Sequence, residues 1–280
     1  MGSDSTTSPE GPGRTTRVAG VSDRTRRSQS IKGVILDLSG VLYVSGQAVT
    51  GSVAALGRLR AAGIPVRMVT NTTRKSAEAV VAQLNELGFA VAPQELVTAP
   101  HAARRHLQHH GLRPYLVVHP DLRATFGDLA QHDPTAVVIG DAGEGFTYSV
   151  LNHAFRLVTE GAPLIAMGRN RYFREADGLS LDAGPFVAAL EYASDSQALV
   201  VGKPAPALFH SAVESLGLAP REVLMVGDDV EADVAGAQAA GLAASLVRTG
   251  KYRAGDESRL EQPCDYVGDD LSAVVDWLLG

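Results

Sequence analysis

The sequence has a single cysteine, Cys264, no long apolar run and no excess of basic residues. One cysteine excludes an intrachain disulfide and a zinc site built from several cysteines, and it fits a reducing compartment such as the cytoplasm. No run approaches the roughly 18–20 apolar residues that span a bilayer, so a membrane protein is not expected. The net charge of −6 gives no general attraction to nucleic acid, so any phosphate site must be locally positive.

Residues 1–30 contain no aromatic residue and are rich in Ser, Thr, Gly, Pro and Arg. A segment of this composition cannot bury enough apolar surface to offset the entropy that it loses on ordering. We therefore predict a disordered N-terminal tail over 1–30. The chain of 280 residues, 45% of them hydrophobic, is long enough for one large domain or a domain with an insertion.

From Ile31 onward, apolar runs of strand length alternate with Ala-rich stretches of helical period. Five such runs read IKGVILDL, IPVRMVTN, ALVVGK, EVLMVGDD and AASLVRTG. Unbroken apolar runs are typical of parallel strands that helices cover on both faces. One of the intervening helices is predicted to place Val53, Leu56 and Leu59 on a single face. Strands that alternate with helices predict a doubly wound parallel sheet with right-handed crossovers.

The middle of the chain has a different pattern. It contains further strand-like runs, a helical segment, and the stretch RYFREADGLSLDAGP, which predicts an antiparallel hairpin that turns at Asp177-Gly178. These elements are enough for an independent small α/β module. We therefore predict a core domain over 31–99 and 197–280, with an inserted module over 100–196.

Polar residues follow four of the predicted strands. They are Asp37, then Thr70 and Asn71, then Lys203, and finally Asp228 and Asp229. Ligands of open parallel sheets bind beyond the carboxyl ends of the strands. Acids there can hold a divalent cation, hydroxyl and amide groups can hold a phosphoryl group, and a lysine can neutralise its charge, which predicts a phosphoryl-transfer site. Each residue alone also fits an ordinary cap, turn or surface position, and their shared place at strand ends favours the site.

The motifs ILDLSGVLY, VTNTT, VVGKP and MVGDDVEAD resemble, in this order, the four motifs of the haloacid dehalogenase (HAD) superfamily of aspartate-nucleophile phosphatases. The resemblance covers residues 31–280. The module inserted after the second motif resembles the large α/β cap, type C2, of the NagD-like branch. The resemblance implies a Rossmann-like core with an inserted cap and a Mg²⁺-dependent phosphatase.

The resemblance also implies roles for the acids. Asp37 would be the nucleophile, attacking phosphorus to form an aspartyl-phosphate that water then hydrolyses. Mg²⁺ would be bound by Asp37, the backbone carbonyl of Ser39, and Asp228. Asp229 and Asp233 are both candidates for a supporting role, either towards waters on the metal or in orienting the lysine of the third motif.

Substrate contacts follow from the same resemblance. The Thr70 hydroxyl and the Asn71 amide would bind phosphoryl oxygens, and Lys203 would hold the nucleophile and the phosphoryl group together as a point charge. In the inserted module, LDAGPF places Asp182 and Gly184 at the start of a helix. The resemblance to cap specificity loops implies that these two residues face the substrate cleft.

Position 39 departs from the family pattern, because most family phosphatases have there an acid that protonates the leaving oxygen. Such assistance is typically worth about 10² to 10⁴ in rate. Ser39 could assist only weakly through its hydroxyl, so we expect substrates that need little help: the P–N bonds of phosphohistidine or phospholysine, or pyrophosphate. The partner would be a small phosphorylated molecule or a phosphoprotein.

Two other functions remain open at this point. One is a catalytically weak phosphate-binding or protein-interaction module, and the other is a general small-molecule phosphomonoesterase. A homodimer through exposed strand edges of the inserted module is a further possibility.

Two other features favour structural roles. The glycine cluster GDAGEG lacks the dinucleotide-binding spacing and has no basic residue beside it, which favours a turn. His109 and His110 point about 100° apart on a predicted helix that also carries His106, which favours a solvated surface.

Overall fold

The computed structural model describes residues 28–129, 132–175 and 178–280. The tail predicted over 1–30 therefore lies almost entirely outside the described residues. In the three described ranges, no helix combines the length and the apolar character that a membrane crossing requires.

The strands in chain order are β1 (Gly33–Asp37), β2 (Tyr43–Val44), β3 (Gln47–Ala48), β4 (Val66–Thr70), β5 (Leu96–Thr98), β6 (Pro114–Val117), β7 (Ala136–Ile139), β8 (Leu164–Ala166), β9 (Tyr172–Glu175), β10 (Gly178–Leu181), β11 (Leu199–Val200), β12 (Val223–Gly227), β13 (Ala243–Val247) and β14 (Tyr266–Gly268). The helices are α1 (Ser52–Ala61), α2 (Ala77–Glu86), α3 (Ala99–His110), α4 (Tyr148–Thr159), α5 (Ala183–Ser194), α6 (Pro206–Leu216), α7 (Gly236–Ala239) and α8 (Leu271–Leu279).

The larger sheet has six strands in the order β14-β13-β12-β1-β4-β5, and every neighbouring pair is parallel. Within this sheet, β1 lies near the centre, and the chain runs outward from it through β4 and β5. It later returns to β12, on the opposite side of β1. The switch point between the two directions therefore lies between β1 and β12. Crevices at such switch points are where doubly wound sheets bind ligands.

Helices cover both faces of this sheet. Successive residues of β1 point to opposite faces, so Val34 and Leu36 pack in one apolar cluster while Ile35 packs in another. The first cluster also contains side chains of α1, α2 and α8, and the second contains side chains of α3, α6 and α7. All five residues of β1 are buried, as its unbroken apolar run predicts.

A smaller parallel sheet has the order β11-β8-β7-β6. Side chains of α3 pack on one face of it, and side chains of α4 and α5 pack on the other. Strands β9 and β10 form the predicted antiparallel hairpin, in which Tyr172 pairs with Leu181. Its turn, 176–177, lies outside the described residues. The predicted fold class, a doubly wound parallel-sheet core with an inserted α/β cap, is confirmed.

The domain boundaries stay a prediction. Strand β11 pairs with β8 of the smaller sheet, although it follows residue 196. We therefore propose that the inserted cap extends through Val200.

The single face predicted for Val53, Leu56 and Leu59 on α1 was wrong at Val53. Leu56 and Leu59 are buried, whereas Val53 is 38% exposed. Each step of three residues turns the helix 60° short of a full turn, so Val53 and Leu59 lie about 120° apart around the axis. Ser52 and Ala55 occupy the buried stripe instead.

This difference yields a matched pair of stability predictions. Leu59→Ala should lower the free energy of unfolding by about 2–5 kcal/mol, because it leaves a cavity against the sheet. Val53→Ala, on the same helix but facing solvent, should change it by roughly 0.5 kcal/mol or less. Denaturant unfolding followed by circular dichroism measures both variants. Equal losses would contradict the burial assigned to α1.

Candidate active site

Three adjacent strands of the larger sheet deliver polar side chains to one edge. Asp37 is the last residue of β1, Thr70 is the last residue of its neighbour β4, and Asp228 directly follows β12 on the other side. Lys203, which follows β11, reaches the same edge. All four residues are buried, with at most 8% of their surface exposed. The strand ends therefore bring the predicted residues together.

Lys203 forms two buried ion pairs at this edge. Its Nζ donates to Asp37 Oδ1 at 2.7 Å and to Asp233 Oδ1 at 2.6 Å. Burial alone would lower the pKa of Lys203, but the carboxylates of Asp233 and Asp37 outweigh burial and raise that pKa above its ordinary value. The result is a permanent positive charge beside the end of β1.

The Asn71 side chain positions the backbone of Lys203. Asn71 Oδ1 accepts from the Lys203 N–H at 2.7 Å, and Asn71 Nδ2 donates to the Lys203 carbonyl at 2.8 Å. Gly202 permits this approach, since a Cβ there would lie 2.1 Å from the carbonyl oxygen of Met167 and 2.7 Å from Asn71 Oδ1. The amide for which the resemblance implies a phosphoryl contact is therefore bonded to the Lys203 backbone.

Asp228 is enclosed by two glycines. Its Oδ2 accepts from the backbone N–H of Lys251 at 2.6 Å. A Cβ at Gly40 would lie 2.0 Å from that oxygen, and one at Gly250 would lie 2.1 Å from it. Both glycines also have positive φ angles, +95° and +61°. The Thr249 hydroxyl donates to the Gly40 carbonyl and ties the two glycine loops together.

Three carboxylates at this edge could hold a metal ion. One oxygen each from Asp37, Asp228 and Asp233 lies within 4.8 Å of the others. Asp228 Oδ1 is buried and has no hydrogen-bond partner among the residues that the structure describes. Burial and then the charge of Asp37 raise the pKa of Asp228 to about 6. A divalent cation would supply the missing partner, and carboxylate oxygens are ligands that suit Mg²⁺, so the residues fit this ion.

The structure separates Asp229 from Asp233. Asp229 Oδ1 accepts from the N–H groups of Glu231 and Ala232 and so caps the π-helical turn Val230–Ala235, while its Oδ2 pairs with Lys251 Nζ at 3.2 Å. Asp233 is fully buried, and its two oxygens accept from Lys203 and from the Asp229 N–H. Of the two acids, Asp233 is therefore the one that contacts the Lys203 side chain.

Ser39 lies in the turn that follows β1. It is exposed, and the turn is closed by a hydrogen bond from the Gly40 N–H to the Tyr43 carbonyl at 2.8 Å. Burial, followed by the charge of Asp37, raises the pKa of Tyr43, so this phenol stays protonated.

A link between the loop after β4 and the smaller sheet was not predicted. Arg74 Nε donates to the buried Asp141 at 2.5 Å, and the Asp141 N–H donates to the Thr73 hydroxyl at 3.1 Å. The Arg74 guanidinium also lies 4.4 Å from the centre of the Phe173 ring. The basic partner of the glycine cluster thus comes from a distant part of the sequence, which is why local spacing did not reveal it.

Asp182 and Gly184 do lie at the start of a helix. Asp182 caps α5 by accepting from the Ala183 N–H at 2.6 Å, and burial is the main cause that raises its pKa. The charges of Asp141 and Arg74 also act on Asp182, with opposite signs. A Cβ at Gly184 would lie 2.5–2.6 Å from the carbonyl oxygens of the two residues 169–170. Close backbone packing therefore accounts for this glycine.

Comparison with known proteins agrees with this arrangement. A family model described as haloacid dehalogenase-like hydrolase matches residues 34–130, and a HAD-hydrolase-like model matches residues 200–274. Human phospholysine phosphohistidine inorganic pyrophosphate phosphatase is 44% identical, covering 91% of this chain and 96% of the relative. Rat haloacid dehalogenase-like hydrolase domain-containing protein 2 is 45% identical, covering 89% and 96%.

Solved structures show the same fold. A 4-nitrophenylphosphatase from Thermotoga maritima has a TM-score of 0.83 at 28% identity, covering 89% of this chain and 98% of its own. A glycerol phosphate phosphatase from Mycobacterium tuberculosis, solved in complex with magnesium, has a TM-score of 0.80 at 31% identity, with coverage of 88% and 77%. NagD from Escherichia coli has a TM-score of 0.80 at 23% identity, covering 86% and 97%.

The resemblance drawn from the four motifs is therefore confirmed by whole-chain similarity. The human relative and two solved structures, from Thermotoga maritima and Archaeoglobus fulgidus, are named phosphatases, and each aligns with 88–91% of this chain. The chain belongs to the haloacid dehalogenase-like hydrolase family and is a HAD-type phosphohydrolase.

Proposed function

We propose that this chain is a Mg²⁺-dependent phosphatase that acts through an aspartyl-phosphate on Asp37 and cleaves P–N bonds or pyrophosphate. The observation that carries the proposal is the buried pair of Lys203 and Asp37 beside the unpartnered Asp228 Oδ1. The substrate class is supported by the name of the human relative, which is 44% identical over 260 residues.

Asp37, Asp228 and the backbone carbonyl of Ser39 would hold the Mg²⁺ ion. When bound, the ion would neutralise negative charge on the phosphoryl oxygens. The magnesium complex of the M. tuberculosis phosphatase, at 31% identity, supports this choice of metal. Asp233 is less suited as a direct ligand, because both of its oxygens already accept hydrogen bonds.

Asp37 would supply the nucleophilic oxygen. One carboxylate oxygen would form a bond to phosphorus as the bond to the leaving group breaks, and water would then attack the same phosphorus. That second step releases inorganic phosphate and restores the carboxylate. Lys203, which donates to Asp37 Oδ1, would orient the nucleophile and supply positive charge beside the phosphoryl group.

The residues after β4 would share two tasks. Thr70 Oγ1 accepts from the Thr72 N–H at 3.1 Å, which leaves the hydroxyl hydrogen to donate to a phosphoryl oxygen. Asn71 would act on the substrate indirectly, by positioning Lys203.

The leaving group decides which substrates react well. An exposed serine at position 39 cannot protonate a departing alkoxide as a carboxylic acid would. A phosphoramidate nitrogen can take its proton from solvent before the bond breaks, and phosphate is a fair leaving group from pyrophosphate. Phosphomonoesters are the second candidate class, since the structurally similar proteins include a 4-nitrophenylphosphatase and a glycerol phosphate phosphatase.

A substrate panel tests the proposal. Purified protein with Mg²⁺ should release phosphate from phosphohistidine, phospholysine or pyrophosphate, and chelation of the metal should abolish the release. Asp37→Asn should lower kcat/KM by about 10³-fold or more, because the amide cannot form the aspartyl-phosphate. Equal activity of Asp37→Asn and wild type would exclude Asp37 as the nucleophile. Activity on alkyl phosphates alone would favour the phosphomonoesterase.

Asp233 and Asp229 provide a matched test of how Lys203 is held in place. Asp233→Asn should lower kcat by about 10²-fold, since Lys203 loses one of its two ionic partners and shifts relative to Asp37. Asp229→Asn should stay within about threefold of wild type, because asparagine caps a helix as well as aspartate does. Steady-state kinetics on the best substrate of the panel measures both variants, and a reversed order would contradict the division of roles.

Ser39→Asp tests the argument from the leaving group. The variant should gain about tenfold or more on an alkyl phosphate such as glycerol phosphate, because a carboxyl group at position 39 can protonate the departing oxygen. Its activity on phosphohistidine should change much less. Ser39→Asn is the control, because asparagine has the same size as aspartate but transfers no proton. A similar gain in both variants would indicate a steric effect and overturn the explanation.

A further inference from the structure

The carboxyl ends of strands in the smaller sheet pack beside the edge at which Lys203 lies. Gly140 directly follows β7, and a Cβ there would lie 3.3 Å from Thr73 Cβ in the loop after β4. Met167 directly follows β8, and its carbonyl oxygen would lie 2.1 Å from a Cβ at Gly202, the residue before Lys203. The ends of β7 and β8 therefore contact the two segments that adjoin this edge.

Arg74 carries the charged part of this contact. Its Nε donates at 2.5 Å to Oδ2 of Asp141, whose side chain is only 4% exposed. Asp141 in turn holds the chain on both sides. Its N–H donates to the Thr73 hydroxyl at 3.1 Å, and its Oδ1 accepts from the Gly143 N–H at 2.9 Å. Because a buried carboxylate needs a counter-charge, the loop after β7 depends on the guanidinium of Arg74.

The same guanidinium reaches the hairpin of β9 and β10. Its Cζ lies 4.4 Å from the centre of the Phe173 ring, and Phe173 pairs with Ser180 across the hairpin. The hairpin leads directly into Asp182, which caps α5. Burial raises the pKa of Asp182, the charge of Asp141 raises it further, and the charge of Arg74 opposes them. Arg74 therefore acts on three parts of the inserted module: the loop after β7, the hairpin and the start of α5.

We propose that Arg74 is a positioning residue that determines which leaving groups this phosphohydrolase accepts. By anchoring the inserted module beside Asp37 and Lys203, it sets the space that is left for the leaving group. The inference rests on the proposed role of Asp37, since the leaving group departs in line with the attacking oxygen and on the opposite side of phosphorus. The phosphoryl group stays at the edge of the larger sheet, whereas the leaving group extends towards the anchored module.

Arg74→Ala and Lys75→Ala form a matched test of this role. Lys75 is exposed and donates to Gln83 of α2 at 2.8 Å, so its removal leaves the anchor intact. Arg74→Ala should lower kcat/KM by about tenfold or more on the best P–N or pyrophosphate substrate of the panel, because the leaving group loses its fixed surroundings. On 4-nitrophenyl phosphate, whose activated leaving group departs with little help, the loss should stay below about threefold. Lys75→Ala should match wild type on both substrates.

Equal losses on the two substrates would overturn the proposal, since a general structural defect lowers both activities together. Two further variants test whether Arg74 acts through its partners. Asp141→Asn should reproduce the selective loss, and the double variant Arg74→Ala, Asp141→Asn should lose no more than the weaker single variant, because both changes remove the same ion pair. Arg74→Lys should recover part of the activity, since it keeps a cation beside Asp141 but not a planar group over Phe173. Additive losses in the double variant would contradict the role of the ion pair.

Hydrogen exchange of the full chain, followed by mass spectrometry, provides a measurement that does not depend on turnover. In Arg74→Ala, peptides from 141–147 and 178–182 should exchange about tenfold faster or more, while β1 and α1 exchange as in wild type and show that the variant is folded. Unchanged exchange in the inserted module would refute the anchor. No phosphate release by wild type would overturn both the proposed function and this role of Arg74, whereas faster exchange without a change in substrate preference would overturn this role alone.

Discussion

The ammonium group of Lys203, buried between the carboxylates of Asp37 and Asp233, is the interaction on which the rest of the structure depends. A charge so far from water costs several kcal/mol unless it is paired and hydrogen-bonded. The carboxylates of Asp37 and Asp233 pair the charge. Asn71 holds the lysine backbone at both its N–H and its carbonyl, and Gly202 lets the two loops approach. The site is therefore preorganised by the same contacts that make the buried charge tolerable.

Much of this could be predicted from the sequence, because strand ends and motif order depend on local pattern. The apolar runs located β1, β4 and β12, and the acids and the lysine that follow the strands do meet at one edge. What could not be predicted depends on contacts between distant segments. Local spacing cannot tell that Asp229 caps a turn while Asp233 contacts Lys203, or that Asn71 bonds to a backbone 132 residues away.

The loop after β4 connects two parts of the molecule. Asn71 supports Lys203 in the core, and only two and three residues later Thr73 and Arg74 contact Asp141 of the smaller sheet. A single short segment thus contacts both Lys203 and the smaller sheet.

The position of β1 in the larger sheet has a consequence for the newly made chain. β1 is translated before its neighbour β12 and before Lys203, which pairs with Asp37 and lies 166 residues further along the chain. Contacts between such distant segments form slowly, because the chain between them loses conformational entropy before the contacts stabilise it. β1 must therefore wait beside β4 until β12 has been synthesised, and the edge that carries Asp37, Thr70 and Asp228 is completed only then.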